Sequence, residues 1–433
     1  MRDSPKTSIF SSEVLANAER VLRKFPLCDR CLGRLFARYG YAMSNLSRGR
    51  AIKTALAMTY HPLVERGEQG AREALTELAR NAGYPLTELA RYYGIEVERR
   101  PCHICGNRIE LMIPDLVKKA AEKLGGIELS SLVVGVKQGS SIEVREREVI
   151  EYLNTDSWEE VRREIRREVG KALQRLTGVP AEFREPDVVV LLDLDKQDVE
   201  VLPQPVYVRG RYVKGGRMIS QLPWITREGS LKYSRNIADA VKEALMPLFS
   251  GDDIVLHAAG REDADARMLG WGRPFIAEVT SPRKRRPVLP KRAGEYPWIV
   301  LSFEGLARHS DVTRVKTSRP MKAYRVVALV HGGVSEEDVR GVEEELRGAV
   351  VRQLTPRRVL RRKKEYLRER RVVDIRGRVL GGYIAEFFLV VESGLYVKEL
   401  FHGDEGRTEP SVASILGREV EVLFLDVLEV LGE

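Results

Sequence analysis

The sequence predicts an α+β protein with an N-terminal, metal-stapled α/β part over 1–225 and a C-terminal antiparallel mixed-sheet part over 226–433. Three observations predict it. The only four cysteines form two C-x-x-C pairs in the first quarter of the chain. A strand, a long amphipathic helix and two more strands follow between 131 and 215. Beyond 226, short apolar runs read as strands at 253–259, 273–280, 323–332, 382–393 and 418–429, with helices at 234–248 and 335–350. Strands and helices do not alternate over any long stretch, so a doubly wound parallel sheet is not expected.

The elements follow in order. Residues 11–42 read as helical, with the first cysteine pair in the turn between helices. Residues 48–93, including ERGEQGAREALTELARNAG, read as two or more helices, and DLVKKAAEKLGG near 114–125 as another. SLVVGVKQ and SSIEVREREV, over 131–149, read as strand and loop. SWEEVRREIRREVGKALQRLTG at 157–178 has the helical spacing of an amphipathic helix. Residues 186–215 read as two strands in a hairpin-like arrangement. They end in an aromatic and basic edge of Tyr207, Arg209, Arg211 and Tyr212.

The cysteines are Cys28, Cys31, Cys102 and Cys105, in CDRC and CHIC. A C-x-x-C turn lets two thiolates bind one metal, and two such turns complete a tetrahedral site. Structural Zn²⁺ is therefore expected. Four thiolates leave no open position for catalysis, and His103 inside the second pair reads as a spectator. Gly33 and Gly106 follow the pairs and are expected to ease the backbone there. Paired disulfides suit an oxidising compartment, whereas the N-terminus lacks the pattern of a signal peptide. A cytoplasmic location is expected.

The net charge is +9, and the 72 basic residues divide into 19 Lys and 53 Arg. Arginine's planar fork suits phosphates and base edges, although a thermophile's surface would also be rich in it. Hydrophobic residues make up 43% of the chain, enough for a core, so disorder is excluded as the main state. No apolar run approaches membrane-spanning length. No G-x-G-x-x-G, Walker loop or HExxH motif is present.

The sharpest segment is IVLHAAGREDADARMLGWGRPFIAEV at 254–279. A strand runs into Gly260, Arg261, Glu262, Asp263, Ala264 and Asp265, and a second strand leaves. Carboxylates flanked by Arg261 and Arg267 would stay ionised, which suits a nucleophile or base. A solvated charged turn would look the same from this segment alone. Basic runs lie at Arg283–Lys284–Arg285–Arg286 and at Arg357, Arg358, Arg361, Arg362, Lys363, Lys364, Arg368, Arg370 and Arg371.

GREDADAR resembles the catalytic loop of pseudouridine synthases, and its departures resemble the archaeal and eukaryotic tRNA pseudouridine-54/55 synthase family. The resemblance places the catalytic Asp at Asp263, with Asp265 as the alternative register. Pro320–Arg325 resembles the segment that carries the active-site tyrosine, here Tyr324. Glu392–Leu400 resembles the segment whose basic residue, Lys398, pairs with the Asp. QLTPRRVLRRKKE at 353–365 and FHGDEGRTEPSV at 401–412 also resemble that family.

The α+β unit at about 110–215 resembles a THUMP domain, an RNA-binding module. The resemblance implies isomerisation of uridine in the tRNA T-arm at positions 54 and 55. No organic cofactor is implied. Asp263 would act as nucleophile at the sugar or as base at its 2′ carbon. Tyr324 would stack on the uracil and help remove the C5 proton. Tyr396, Lys398, Leu400, Arg261 and Arg267 would bind substrate, with Leu400 walling the base pocket. tRNA is the expected partner, the protein a monomer without membrane contact. A non-catalytic, zinc-stabilised RNA-binding or assembly factor is the rival reading.

Overall fold

Apolar positions at helical spacing organise the first half of the chain. The computed structural model describes residues 13–295, 298–360 and 364–432; two units, Met1–Pro203 and Gln204–Glu433, divide the chain. The first begins with helices α1 (Glu13–Lys24), α2 (Asp29–Leu35), α3 (Asn45–Glu65), α4 (Ala71–Ala82), α5 (Leu86–Tyr92) and α6 (Ile109–Leu124). Residues 11 and 12 of the expected first helix lie outside the described residues. Helix α1 buries Ala18, Val21 and Leu22, one stripe at i, i+3 and i+4. Helices α2 and α3 cross closely. A Cβ on Gly33 would sit 1.9 Å from the Asn45 carbonyl oxygen, and one on Gly49 would sit 1.9 Å from that of Asp29. Gly33 thus serves helix packing, whereas Gly106, at φ +60°, serves the turn.

The unit continues with β1 (Leu132–Val136), α7 (Ser141–Leu153), α8 (Val161–Thr177), β2 (Val188–Asp193) and β3 (Asp198–Pro203). Strand β1 pairs parallel with β2, and β2 antiparallel with β3. The segment SSIEVREREV, expected to be strand and loop, is helix α7 after a short turn. Its start is a capping box in which Ser140 and Glu143 satisfy each other's backbone amides. Its buried face is Ile142, Glu146, Val149 and Leu153. One apolar core runs from Ala18 through Cys31, Cys102 and Cys105 to Val199.

The second unit holds β4 (Val206–Lys214), α9 (Ile237–Phe249), β5 (Asp253–Ala258), β6 (Arg267–Thr280), β7 (Arg292–Glu295), β8 (Ile299–Ala307), α10 (His309–Thr317), β9 (Met321–Val330), α11 (Glu336–Leu346), β10 (Val350–Gln353), β11 (Arg368–Gly381), β12 (Ile384–Val391), α12 (Val397–His402), β13 (Thr408–Glu409), α13 (Val412–Leu416) and β14 (Val420–Leu431). Among the described residues, eleven strands form one sheet in the order β13-β10-β11-β12-β9-β14-β6-β4-β8-β7, with β5 paired to β6. Every pairing is antiparallel except β14 with β6. Two cores flank the β14–β6 seam. One lies under β9–β12 and α11–α13, the other under β4–β8 and α9.

The unit boundary falls at 203/204, earlier than the expected 225. Strand β4, read as the end of the THUMP-like region, instead pairs with β6 and β8 in the large sheet. Its alternation gives one buried face, including Val208 and Tyr212, and this face joins the second unit's core.

Buried charge closes the seam. Asp426 on β14 accepts from Arg267 on β6 at 2.8 and 2.6 Å, from Arg217 at 2.6 Å and from Arg325 on β9 at 3.3 Å. Arg325 also donates to buried Glu386 on β12 at 2.5 Å. Burial opposes the charge on Asp426, but Arg267 and Arg217 outweigh it and hold its carboxyl below the usual range. Asp426→Ala leaves three guanidinium groups without that partner. The expected loss is about 3 kcal/mol at neutral pH, read from denaturant unfolding of wild type and variant. The depressed pKa makes this contribution full above the unfolded value and lost as pH falls through the folded one, so the two proteins should converge in acid.

Candidate active site and metal centre

In the first unit, the start of α2 and the turn before α6 bring the four cysteines together. All four Sγ atoms lie within 4.8 Å of one another, and Cys28 and Cys105 approach to 3.6 Å. A tetrahedral zinc with bonds of about 2.3 Å sets its sulfurs about 3.8 Å apart, so the residues fit that ion. Burial pushes the Cys31 thiol up, so a cation is what would make thiolates stable there. Arg34 Nη2 lies 3.5 Å from Cys31 Sγ. Arg34 is itself held between Glu146 and Glu164 at 3.0 and 3.2 Å. His103 is not part of the cluster; its ring pairs with Glu148.

In the second unit, four segments converge. The first is the loop between β5 and β6. It turns at Gly260, φ +79°, and its Glu262 side chain is buried. Glu262 accepts from Arg273 at 2.8 Å and from the Tyr212 hydroxyl at 3.0 Å, and pairs with Lys214 at 3.3 Å. Lys214 also donates to the Asp263 carbonyl oxygen at 2.9 Å. The loop is therefore pinned from beneath, and Asp263 is held on its upper side.

Asp263 meets Arg358, from a short 3-10 turn at Arg357–Val359, at 3.1 Å and Lys398 of α12 at 3.4 Å. Burial works against the Asp263 charge, but Arg358 and Lys398 outweigh it and hold the carboxyl below its usual range. Arg358 is steadied by buried Glu399 at 2.6 Å. Lys398 lies nearer to Asp265, at 2.7 Å, and so bridges both aspartates. Tyr324 on β9 has Arg273, Glu262 and Asp263 acting on it; burial pushes its hydroxyl up to about 12.

The flanking arginines are not where sequence spacing put them. Arg261 is exposed and makes no ion pair with the described residues. Arg267 turns to Asp426, away from Asp263. The arginine that keeps Asp263 ionised is Arg358, about a hundred residues away, which the sequence showed only as part of a basic run. Tyr396 caps α12; its ring lies under Arg368 at 4.5 Å, and Gln353 brackets its backbone. Leu400 is fully buried in the core beneath α12 and supports the helix that carries Lys398. The segment GLYVKEL thus forms a turn and the first residues of helix α12.

Other basic residues also moved. The run Arg283–Arg286 follows the end of β6 at Thr280, whereas the Asp263 loop leaves β5 at the opposite end of the hairpin. Six strand residues separate the two ends, roughly 16 Å. Arg368 and Arg370, by contrast, donate to the carbonyls of Gly394 and Ser393 beside the site. Arg361, Arg362 and Lys363 lie outside the described residues. The Tyr207–Tyr212 strip is not an open face. Tyr212 is buried, Arg209 pairs with Asp311, and Arg211 pairs with Glu304.

Known proteins share both units. The family model for Pus10, C-terminal, matches residues 207–431, and that for the archaeal Pus10 THUMP domain matches 116–193. The tRNA pseudouridine synthase Pus10 of Aeropyrum pernix is 41% identical over 430 residues, spanning 96% of this chain and 97% of its own. That of Ignisphaera aggregans is 38% identical over 421 residues, 95% and 98% of the two chains. Among solved structures, a Cbf5-Nop10-Gar1 complex covers 51% of this chain and 48% of its own at 17% identity, with a TM-score of 0.31. A pseudouridylate synthase covers 52% and 65% at 16% identity, with a TM-score of 0.22.

The match of the second unit to the Pus10 C-terminal model, and of nearly the whole chain to these relatives, places the protein among the RNA pseudouridine synthases. Within that class the chain belongs to the Pus10 family of tRNA pseudouridine synthases.

Proposed function

We propose that this enzyme converts uridine to pseudouridine in the T-arm of tRNA, at positions 54 and 55, with Asp263 acting on the ribose. The observation that carries the reading is the convergence on Asp263 of Arg358, Lys398 and Tyr324, from three separate segments. The reaction breaks the C–N glycosidic bond, turns the uracil and rejoins it through carbon. It needs no oxidant and no organic cofactor. Attack at the sugar and abstraction of its 2′ proton both begin from an ionised carboxylate, and the two cations keep Asp263 in that form. Tyr324 offers a ring for the displaced uracil, which must leave its stack to reach Asp263.

The four thiols would hold Zn²⁺ as a structural ion that staples the start of α2 to the turn before α6. A cluster of reduced thiols suits the cytoplasm. No helix among the described residues is long and apolar enough to cross a membrane. The large sheet ends in the short strands β7 and β13, poor templates for edge pairing, which suits a monomer.

Incubation with an unmodified tRNA transcript, followed by chemical mapping, should place pseudouridine at 54 and 55. Product confined to another arm would overturn the target assignment. No product at all would favour a non-catalytic RNA-binding factor.

A further inference from the structure

One buried amine beside the site has no part in the scheme above. Lys322 is two residues before Tyr324 on β9 and so shares its face of the strand. It is 91% buried, being 9% exposed. Its cross-strand neighbours are Val391 on β12 and Val430 on β14, both buried. Among the described residues its Nζ makes one hydrogen bond, to Ser393 Oγ at 3.4 Å, in the loop that leads to Lys398. It also lies 3.6 Å from where a Cβ on Gly260 would stand, at the entry to the Asp263 loop. Lys322 therefore sits where the Asp263 loop, the Tyr324 strand and the Lys398 loop meet. No carboxylate among the described residues forms an ion pair with it.

We propose that Lys322 is the base that removes the C5 proton of the target uracil; this rests on the pseudouridine reading above. Once C5 has joined the ribose, it carries the new C–C bond and its hydrogen, and N1 is doubly bonded to C6. The C5–H bond then breaks and its electron pair forms C5=C6. The N1=C6 pair moves onto N1. The neutral amine takes the proton and becomes ammonium, and N1 regains one proton from that ammonium.

The neighbouring groups are poorly suited to this step. Asp263 is held ionised by two cations and is a weak base. Glu262 is engaged by Arg273, Tyr212 and Lys214. Lys398 lies between two carboxylates. The Tyr324 hydroxyl stays protonated across neutral pH. Burial, with Arg273 of β6 adding repulsion and Glu262 opposing it, brings Lys322 down to about 8, so a substantial fraction is neutral near physiological pH.

The test is single-turnover pseudouridine formation on unmodified tRNA, from about pH 6 to about pH 9. Wild type, Lys322→Arg and Lys322→Gln are compared, with tRNA affinity measured for each. The neutral amine is the active form, so the wild-type rate should climb as pH rises through about 8. Both variants should be slower by at least about 100-fold with that limb absent, at unchanged affinity. A transcript with 5-fluorouridine at the target has no C5 proton, and both variants should consume it at the wild-type rate. Lys322→Arg with the wild-type rate and profile overturns the proposal. So does equal slowing on uridine and 5-fluorouridine, which would place the residue before the proton step or in the fold. Failure of wild type to form pseudouridine overturns the underlying reading and this inference with it.

Discussion

Asp263→Ala should lower pseudouridine formation by about 10⁴-fold or more, with tRNA affinity nearly unchanged. Losses of that order follow removal of the group that starts a covalent step. The fold should tolerate the change. The Asp263 side chain is one-third exposed, and the loop's anchor is the buried Glu262 beside it. Arg358 keeps its stronger contact to Glu399 when Asp263 is gone. Asp265→Ala is the matched control. Asp265 is exposed and touches only Lys398 among the site's cations, so its loss should cost less than about tenfold. Chemical mapping of the product from the two variants decides between them. An active Asp263→Ala beside an inactive Asp265→Ala would move the catalytic role two residues along the loop. The depressed pKa of Asp263 also sets a direction for pH. Its protonation should add a second loss of activity only below the ordinary carboxylate range, beneath the decline that protonation of Lys322 begins near pH 8.

Cys105→Ser should release the metal and unfold the first unit. Structural zinc contributes on the order of 10 kcal/mol in small domains, comparable with the whole stability of a typical one. The cysteines here are not peripheral. Cys31, Cys102 and Cys105 are members of the core that runs on to Val199, so loss of the staple should reach β1–β3. Arg34 extends the connection, since it touches Cys31 and binds Glu146 of α7 and Glu164 of α8. Zinc content and a thermal melt, each with and without a strong chelator, check the expectation. One zinc per chain and a large fall in melting temperature on chelation are expected. A protein with no stoichiometric zinc and an unchanged melt would sink it.

Long, strongly patterned elements were legible in the sequence. The apolar runs at 253–259 and 323–332 became β5 and β9, and the amphipathic segment at 157–178 contains α8. Local chemistry that was present but unread accounts for other differences. The capping box of Ser140 and Glu143 marks the start of α7 and could have corrected the loop reading. Strand β4 was seen, but nothing in its own residues says which sheet it joins, because pairing is a tertiary choice. The cysteine cluster was readable because its chemistry lies in spacing. The Asp263 site was readable as motifs, yet its charge balance was not. Arg267 stands four residues from Asp263 and turns to Asp426, while Arg358 arrives from the far side of the sheet. Sequence distance carries no information about such a pair.

The place of β14 in the large sheet sets an order of events during synthesis. Asp263 hangs from the β5–β6 side, while Lys322, Tyr324 and Lys398 belong to the β9–β12 side. Strand β14 lies between β6 and β9 and follows, along the chain, every residue placed in the site. Until it is laid in, the nascent chain holds two half-sheets without the strand between them, each with part of the site. A ribosome-bound chain that stops short of 420 therefore carries every proposed catalytic residue without the strand that joins them. Joining of the two half-sheets and assembly of the site should therefore coincide.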